Sequence, residues 1–297
     1  MSDVFPQFEP ESTGGSGKMP RKRRAIGFRG RQVPIRILIP SMFTLLALCA
    51  GLTAIRMAIE NRFDVAIAAI VLAAILDGLD GRVARLLKAS SKFGAELDSL
   101  ADFVNFGVAP AIVVFTWALG DLRSMGWIVV LVFAVCAALR LARFNAALEE
   151  EEPDWKKDYF VGVPAPAGAL IVMLPLYVEG LGIPVRDLAP LILLYTLGIA
   201  LLMVSFVPTY SGKLFGQRVA REYVLPVLVL GALFVAVLLT YPYKTMAIGT
   251  LMYLAVIPLS FISYRKREAE FAKTAKSQNG SRKRKSKAPS EQPRAQA

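Results

Sequence analysis

The sequence predicts an all-α integral membrane protein with about eight transmembrane helices and a basic, disordered tail at each end. Three observations lead to this fold class. Of the 297 residues, 55% are hydrophobic and the mean hydropathy is +0.49, which is too apolar for an ordinary water-soluble domain. Several stretches without Asp, Glu, Lys or Arg approach the ~20 residues that a helix needs to cross a bilayer. The Lys and Arg residues are concentrated towards the two ends of the chain.

The apolar stretches define the spans in order along the chain. The stretches that contain no Asp, Glu, Lys or Arg are 37–55, 103–120, 159–178, 188–212, 223–243 and 245–264. Two shorter apolar runs, 65–76 and 124–139, become long enough when their helices continue into the charged sequence that follows. The predicted spans are therefore 37–57, 64–87, 98–118, 125–145, 162–180, 188–208, 222–241 and 245–264.

Basic residues in the loops predict the orientation of these spans, because cytoplasmic loops are enriched in Lys and Arg. With eight spans, both tails lie on the same side of the membrane as the connecting regions 82–97, 140–161 and 209–221. That side collects 30 of the 35 Lys and Arg residues. The sequence therefore predicts that both termini are cytoplasmic.

The charges also divide the chain into three parts. Residues 1–36 and 265–297 carry 19 of the 35 Lys and Arg but only 6 of the 23 Asp and Glu. They lack periodic apolar residues, so we expect disordered basic tails that lie on anionic lipid headgroups. Residues 37–264 form the predicted transmembrane catalytic domain, in which basic and acidic residues nearly balance. We therefore expect no nucleic-acid binding by this domain.

Two residue types narrow the chemistry. The sequence contains no histidine, which excludes an imidazole base, a histidine-containing triad and a histidine-ligated zinc site. Cys49 and Cys136 lie far apart within apolar stretches, which fits neither a disulfide framework nor a thiolate metal site. Carboxylates are therefore the groups left for acid–base and metal chemistry.

Four aspartates stand out at membrane depth, where ionisable side chains are costly and are functional candidates. Asp77 and Asp80 end the second predicted span, and Asp98 and Asp102 begin the third. Their spacings of three and four residues put each pair on one helix face, and a short polar turn brings the two helices together. Four converging carboxylates repel one another unless cations lie between them. Because all the ligands are oxygens, we expect Mg²⁺ or Mn²⁺, and two such ions ~4 Å apart would suit displacement at phosphorus.

The spacing of these residues is also a family pattern. Asp77-Gly-Leu-Asp80-Gly81-Arg-Val-Ala84-Arg85, followed by Gly94, Asp98 and Asp102, resembles the signature of the CDP-alcohol phosphatidyltransferases. The signature occupies 77–102, and the resemblance covers roughly residues 35–180. It implies an integral membrane enzyme that uses two divalent ions to transfer a phosphatidyl group from a CDP-linked lipid to an alcohol, with release of CMP.

The resemblance also implies roles for individual positions. Asp77, Asp80 and Asp98 would hold one ion, Asp77, Asp98 and Asp102 would hold the other, and Asp102 would also be the general base. The positions that match CDP-lipid contacts are Gly81, Arg85, Ser91, Gly94 and Thr44. Thr44 ends the segment Pro40-Ser41-Met-Phe-Thr44, in which serine replaces the asparagine usual in the family.

Three longer blocks resemble bacterial and archaeal phosphatidylserine synthases, and they favour L-serine as the acceptor. They are AELDSLADFVNFGVAP at 95–110, RLARFN at 140–145 and FVGVPAPAG at 160–168. Serine needs a cation for its carboxylate, which Arg140 or Arg143 would supply, and amide hydrogen bonds, which Asn105 or Asn145 would supply. Membrane anchoring is the alternative role for the two arginines, and a helix C-terminal role for Asn145. The resemblance implies a location in the bacterial cytoplasmic membrane, and the basic loops predict an active site on its cytoplasmic side.

Other functions stay open beside this one. Within the family, a phosphatidylglycerophosphate or phosphatidylcholine synthase would use another acceptor. A cation-coupled membrane transporter would need acids near the bilayer midplane and a repeated second half, and the last four predicted spans hold no counterpart. A membrane scaffold would have no use for four aligned aspartates. As partners we expect CDP-diacylglycerol and L-serine as substrates, membrane lipids, no nucleic acid, and a homodimer as one candidate assembly.

Overall fold

The computed structural model describes residues 35–88, 91–147, 159–210 and 221–286, all of which belong to one compact unit. These residues are helical apart from turns and two three-residue strands, in agreement with the predicted all-α membrane class. The α-helices are α1 (Ile35–Ile59), α2 (Phe63–Leu86), α3 (Lys92–Asp102), α4 (Ala109–Trp117), α5 (Arg123–Ala147), α6 (Ala165–Val172), α7 (Leu174–Gly180), α8 (Ala189–Val204), α9 (Arg221–Thr240) and α10 (Pro242–Ser286). The strands are β1 (Tyr159–Val161) and β2 (Pro208–Tyr210).

The first two helices form a closely packed hairpin. Only three residues separate α1 from α2, and Asn61 in this turn adopts a positive φ of 59°, which asparagine tolerates better than most residues. The Asn61 backbone N–H donates to the carbonyl of Ala58 at 3.0 Å, which closes the turn. The tight turn sends α2 back along α1 and brings the C-terminal half of α2 beside the N-terminal half of α1.

A single rod from Lys92 to Trp117 contains α3, a π-helix (Phe103–Val108) and α4. The π-helix ends close to Pro110, which has no backbone N–H to donate and whose ring crowds the carbonyl one turn earlier. A wider π turn accommodates this break in the hydrogen-bond ladder. The rod begins six residues before the predicted start of the third span at residue 98, so Asp98 lies inside a helix and not at its first residue.

The predicted span 162–180 is divided into α6 and α7, which are separated at Met173. Pro175 lies in the first turn of α7 and cannot donate to the carbonyl of Ile171. That carbonyl accepts a hydrogen bond from the Tyr195 hydroxyl of α8 instead, at 2.6 Å. The proline therefore breaks the helix, and a side chain from a neighbouring helix satisfies the carbonyl that the break exposes.

A short antiparallel ribbon joins the start of α6 to the end of α8. β1 pairs with β2, with Tyr159 opposite Tyr210. Gly162 follows β1 with a φ of +77°, and a Cβ there would overlap the carbonyl oxygen of Met203 at the end of α8. Thr209 Oγ1 donates a hydrogen bond to the carbonyl of Gly162 at 2.8 Å. This close approach requires a residue without a side chain.

Among the described residues, six segments are long and apolar enough to cross a membrane. They are Leu38–Ile59, Lys92–Trp117, Leu119–Ala147, Arg186–Val204, Tyr223–Thr240 and Pro242–Arg265. The other two predicted spans coincide with α2 and with the divided pair α6–α7. The ionisable residues of α2 are Asp64, Asp77, Asp80, Arg82 and Arg85, and α6 and α7 have only 8 and 7 residues. The predicted count of eight spans is therefore not confirmed.

The main hydrophobic core is built by α1, α2, α4 to α8 and α10, with Phe133, Tyr177 and Met203 among its fully buried side chains. A smaller cluster consists of Phe106, Ala165 and Ala169, with Ala74 and Leu141 packed against it. The transmembrane window of α9 has none of its residues buried, and this helix packs mainly on α10. The hydrophobic core formed by the other helices therefore does not depend on α9 for its packing.

Helix α10 continues to Ser286, so residues 265–286 are helical where the sequence predicted a disordered tail. This segment is rich in Arg, Lys, Glu and Ala, which have high intrinsic helix propensity. Of the predicted tails, residues 1–34 and 287–297 lie outside the described residues.

Candidate active site

The two aspartate pairs meet where the end of α2 lies beside α3. One carboxylate oxygen from each of Asp77, Asp98 and Asp102 lies within 4.8 Å of the other two. The side chains of Asp77 and Asp102 are within hydrogen-bonding reach of each other across the two helices. The structure therefore brings three of the four predicted metal ligands into one cluster, and these three are the set that the family resemblance assigns to a single ion.

Asp80 lies at the edge of this cluster and is the most buried of the four, with 5% of its surface exposed. Its side chain interacts with that of Asp98. Its Oδ2 accepts a hydrogen bond from Thr44 Oγ1 at 2.8 Å, and Thr44 Oγ1 also lies 3.2 Å from the carbonyl oxygen of Pro40. Thr44, predicted from the sequence to contact the CDP lipid, therefore holds a carboxylate of the cluster in one orientation.

The carboxylate oxygens of this cluster are suitable ligands for divalent cations. Asp98 Oδ1 and Asp102 Oδ1 are buried and have no hydrogen-bond partner, and leaving a buried acceptor unpaired costs ~1–3 kcal/mol or more for a charged group. Within the described residues, no Lys or Arg forms an ion pair with any of the four aspartates. Carboxylate oxygens are the ligands that Mg²⁺ and Mn²⁺ prefer. Asp77, Asp80, Asp98 and Asp102 are therefore the residues that would hold such ions.

A cavity of about 230 Å³ opens beside the aspartates, between α1, the end of α2 and the start of α3. Asp80 and Asp98 form part of its wall, so the carboxylates face the space that a ligand would occupy. All the residues predicted to bind the CDP lipid line this one cavity: Thr44, Gly81, Arg85, Ser91 and Gly94. The remaining lining residues are Pro40, Ser41, Ala84 and Ala95.

Two side chains in the cavity wall, those of Arg85 and Ser91, have N–H or O–H groups that could donate hydrogen bonds to a ligand. Arg85 Nε donates to the carbonyl of Gly81 at 3.0 Å, which leaves the two terminal amino groups of the guanidinium for other acceptors. Ser91 is the N-cap of α3, and its Oγ accepts a hydrogen bond from the Gly94 backbone N–H at 3.0 Å. The Ser91 hydroxyl proton is still available for a ligand.

Asn105 lies in the π-helix, three residues after Asp102, and is fully buried. Neither its Oδ1 nor its Nδ2 has a hydrogen-bond partner. Gly51 of α1 packs directly against this amide, because a methyl group at position 51 would overlap Asn105 Oδ1. The close approach of α1 and the π-helix therefore buries an unsatisfied amide next to the aspartate helix.

The two predicted acceptor arginines lie on α5 and contact backbone carbonyls. Arg140 is 5% exposed, and its Nε donates to the carbonyl of Val163, just before α6, at 3.2 Å. Arg143 Nη1 donates to the carbonyl of Val204, the last residue of α8, at 2.8 Å. The Arg143 guanidinium also lies 4.7 Å from the centre of the Phe206 ring. Both side chains therefore bind the segments that flank the β1–β2 ribbon.

Asn145, the fourth predicted acceptor residue, is exposed and donates from Nδ2 to Ser99 Oγ at 2.9 Å. Ser99 lies between Asp98 and Asp102 on α3, so this bond connects the end of α5 to the aspartate helix. No role was predicted for Ser99, whose only signal in the sequence is its position inside the block 95–110. The predicted acceptor residues therefore fall into two groups. Asn105 and Asn145 lie in or beside the helix that carries Asp98 and Asp102. Arg140 and Arg143 contact the segments that flank the β1–β2 ribbon.

The family comparison covers this site. The model of the CDP-alcohol phosphatidyltransferase family matches residues 37–210, which include the aspartate cluster and the cavity. The model named CDP-alcohol phosphatidyltransferase 2 matches residues 222–258, which comprise most of α9 and the first part of α10.

Individual relatives resemble most of the chain. A protein of Mycobacterium leprae (strain TN) is 41% identical over 249 residues, which cover 83% of this chain and 79% of that protein. A protein of Mycobacterium tuberculosis (strain ATCC 25618 / H37Rv) is 40% identical over 249 residues, 83% of each chain. A protein of Bacillus subtilis (strain 168) is 39% identical over 137 residues, 46% of this chain and 74% of that protein. All three relatives are named CDP-diacylglycerol–serine O-phosphatidyltransferase.

Proposed function

Because this chain belongs to the CDP-alcohol phosphatidyltransferase family, we propose that it transfers the phosphatidyl group of CDP-diacylglycerol to the hydroxyl oxygen of L-serine, giving phosphatidylserine and CMP. The observation that carries this proposal is the convergence of Asp77, Asp98 and Asp102 beside a cavity lined by Arg85 and Ser91. The choice of serine is supported by the names of relatives that are 40–41% identical over 83% of the chain.

We infer two divalent ions, Mg²⁺ or Mn²⁺, one held by Asp77, Asp80 and Asp98 and the other by Asp77, Asp98 and Asp102. When bound, such ions supply positive charge to the diphosphate oxygens and to the departing CMP. The unpaired oxygens of Asp98 and Asp102 support this assignment, because they are buried acceptors that lack a donor. The hydrogen bond from Thr44 supports the inclusion of Asp80, because it holds that carboxylate in place beside Asp98.

The cavity binds the nucleotide diphosphate of the lipid, with the acyl chains in the bilayer and the cytidine towards the cytoplasm. Arg85 pairs with phosphate oxygens through the terminal amino groups of its guanidinium, which match the spacing of two such oxygens. The Ser91 hydroxyl donates a further hydrogen bond. Gly81 and Gly94 let the diphosphate approach the backbone of α2 and α3, because neither residue carries a side chain.

Asp102 acts as the general base for the acceptor. It takes the proton of the serine hydroxyl while the serine oxygen forms a bond to the phosphorus of the phosphatidyl group. The bond between that phosphorus and the oxygen of CMP breaks, and CMP leaves with the bonding electron pair. The unpaired Oδ1 of Asp102 supports this role, because a base needs a free acceptor oxygen.

Four side chains are proposed to hold the serine itself. Arg140 or Arg143 provides the positive charge for its carboxylate, and Asn105 or Asn145 provides amide hydrogen bonds. The unsatisfied amide of Asn105 supports the second part of this proposal, since a bound polar group would supply the missing partners. The loop charges support an active site on the cytoplasmic face of a bacterial membrane. A homodimer stays a prediction.

CMP release by the purified full-length enzyme in detergent tests the proposal. CDP-diacylglycerol is supplied with L-serine, glycerol 3-phosphate, choline or inositol, each with and without Mg²⁺ or Mn²⁺. We expect metal-dependent CMP release with serine and an equal amount of labelled phosphatidylserine. CMP release only with another alcohol would leave the family assignment intact and contradict serine as the acceptor. No CMP release with any alcohol would contradict the proposed reaction altogether.

A further inference from the structure

Arg140 and Arg143 are two neighbouring cations without a counter-ion. They are close enough to interact electrostatically, and within the described part of the chain neither pairs with an Asp or a Glu. Arg140 and Arg143 donate hydrogen bonds to the carbonyls of Val163 and Val204, which carry only partial negative charge. Because a buried charge without a counter-ion is costly, this pair of guanidiniums favours a bound anion. Under the proposed function, that anion is the carboxylate of serine.

Helix α10 brings a hydroxyl group to the same place. Helix α10 packs against β2, and its Tyr253 lies beside Thr209 and within electrostatic range of Arg140. The Tyr253 hydroxyl oxygen is buried and forms no hydrogen bond of good geometry, and its neighbour Thr209 donates its own proton to the carbonyl of Gly162. An unpaired buried hydroxyl costs ~1–3 kcal/mol, so its position favours a ligand that accepts a hydrogen bond.

The ring of Tyr253 borders a cavity, and the helix that carries the arginines packs close to the aspartates. Tyr253 borders a largely apolar cavity of about 210 Å³ between α6, α9 and α10, so its ring is not fully enclosed by protein. Leu141, the residue after Arg140, packs against the cluster of Phe106, and so does Ala74 of α2. Ala74 lies one helical turn before Asp77. Asn145, two residues after Arg143, also donates a hydrogen bond to Ser99 between Asp98 and Asp102, so the end of α5 that carries the arginines lies beside the aspartate helix.

We propose that Tyr253 is an acceptor-recognition residue, whose hydroxyl donates a hydrogen bond to the same carboxylate that Arg140 or Arg143 binds. The inference rests on the proposed function, because it assumes an acceptor with a carboxylate. It gives α10 a part in the choice of acceptor, although this helix lies outside residues 37–210 that the main family model matches.

Tyr253→Phe in the full-length enzyme tests this role, because it removes only the hydroxyl oxygen. We expect the KM for L-serine to rise about tenfold or more, which is the usual effect of losing a hydrogen bond to a charged group, while kcat changes little. Serinamide, which has no carboxylate, provides a second readout. The ratio of kcat/KM for serine to that for serinamide should fall in Tyr253→Phe, whereas a merely structural role would lower both values together.

Tyr177→Phe is the matched control. Tyr177 also has a buried hydroxyl without a partner, but it lies on α7 in the main core. We expect its serine-to-serinamide ratio to equal that of the wild type. An unchanged ratio in Tyr253→Phe, with phosphatidylserine still formed, would overturn this inference alone. If the wild-type enzyme made no phosphatidylserine, the proposed function would fail and this inference with it.

Discussion

Thr44 of α1 donates a hydrogen bond from Oγ1 to Oδ2 of Asp80 on α2 at a distance of 2.8 Å. The bond is buried, and it fixes one oxygen of the aspartate that lies at the edge of the carboxylate cluster. The first helix is therefore part of the candidate site and not only a membrane anchor.

Replacing Thr44 with valine should weaken the response of the enzyme to its metal. Valine keeps the shape of threonine but cannot donate to Asp80, and the loss of a hydrogen bond to a metal ligand typically costs 10–100-fold in metal affinity or activity. Activity measured against Mg²⁺ concentration should show a higher half-maximal concentration for Thr44→Val. Thr44→Ser keeps the hydroxyl and should stay near the wild type. Identical Mg²⁺ curves for Thr44→Val and the wild type would contradict this role.

The clustered aspartates should behave as one unit. Asp77→Asn and Asp98→Asn should each lower turnover more than about 10²-fold. This loss exceeds the usual effect of mutating a residue that only hydrogen-bonds to a metal ligand. The double variant should be little worse than either single variant, because a broken unit has little left to lose. Glu96→Gln is the matched control, since Glu96 is an exposed carboxylate on the same helix as Asp98. Additive losses in turnover would argue against a shared metal site.

Asp102→Asn should abolish most of the chemistry without preventing substrate binding. Asparagine is nearly the same size as aspartate but cannot accept the serine proton, and general-base catalysis typically contributes ~10²–10⁴-fold. We expect kcat to fall by at least that factor. Binding of CDP-diacylglycerol, measured directly on the same preparation, should still be detectable. Turnover close to that of the wild type would exclude Asp102 as the base.

Gly51→Ala should destabilise the protein and lower its activity. The added methyl group would overlap Oδ1 of Asn105, and overpacking of this kind typically costs about 1–3 kcal/mol. Thermal unfolding in detergent should show a lower midpoint than that of the wild type. Gly198→Ala is the control, because no atom lies within 4 Å of a Cβ added at this position of α8. Equal midpoints for the two variants would show that α1 can move away from Asn105 at no cost.

The orientation of the chain can be checked with a reporter that is active only outside the cytoplasm. A fusion at residue 297 should give no signal, because the excess of basic residues holds that end in the cytoplasm. A fusion between α9 and α10, after residue 241, should give a strong signal. A signal at residue 297 would reverse the predicted sidedness of the active site.

The positions of most apolar helices, and the grouping of five site residues around one cavity, were predictable from the sequence. Hydropathy depends on residue type alone, so six predicted spans correspond to membrane-length helices. The spacing of Asp77 from Asp80, and of Asp98 from Asp102, places each pair on one face of its helix. The structure brings Asp77, Asp98 and Asp102 together. The cavity likewise collects residues from three helices that the family pattern had already grouped.

Features that depend on contacts between distant residues were not predictable in this way. The hydrogen bond between Asn145 and Ser99 joins residues 46 positions apart, and no periodicity in either helix indicates it. The ribbon of β1 and β2 has only three residues in each strand, too few for an alternating pattern. The break between α6 and α7 could have been predicted, because Pro175 has no backbone N–H to continue the helical hydrogen bonds. The span was predicted as one helix because residues 162–180 are almost all apolar.

The π-helix at Phe103–Val108 has a consequence for the angular phase of the whole rod. A π turn holds more residues than an α turn, so it shifts every later side chain around the helix axis relative to the earlier ones. Asp98 and Asp102 lie before it and face α2, whereas Val113 and Trp117 lie after it and face the core. Deleting one residue from this segment would turn one half against the other by about 100°. The wide turn therefore changes the angular position of the side chains that follow it. As a result, one continuous helix presents its carboxylates in one direction and its apolar surface in another.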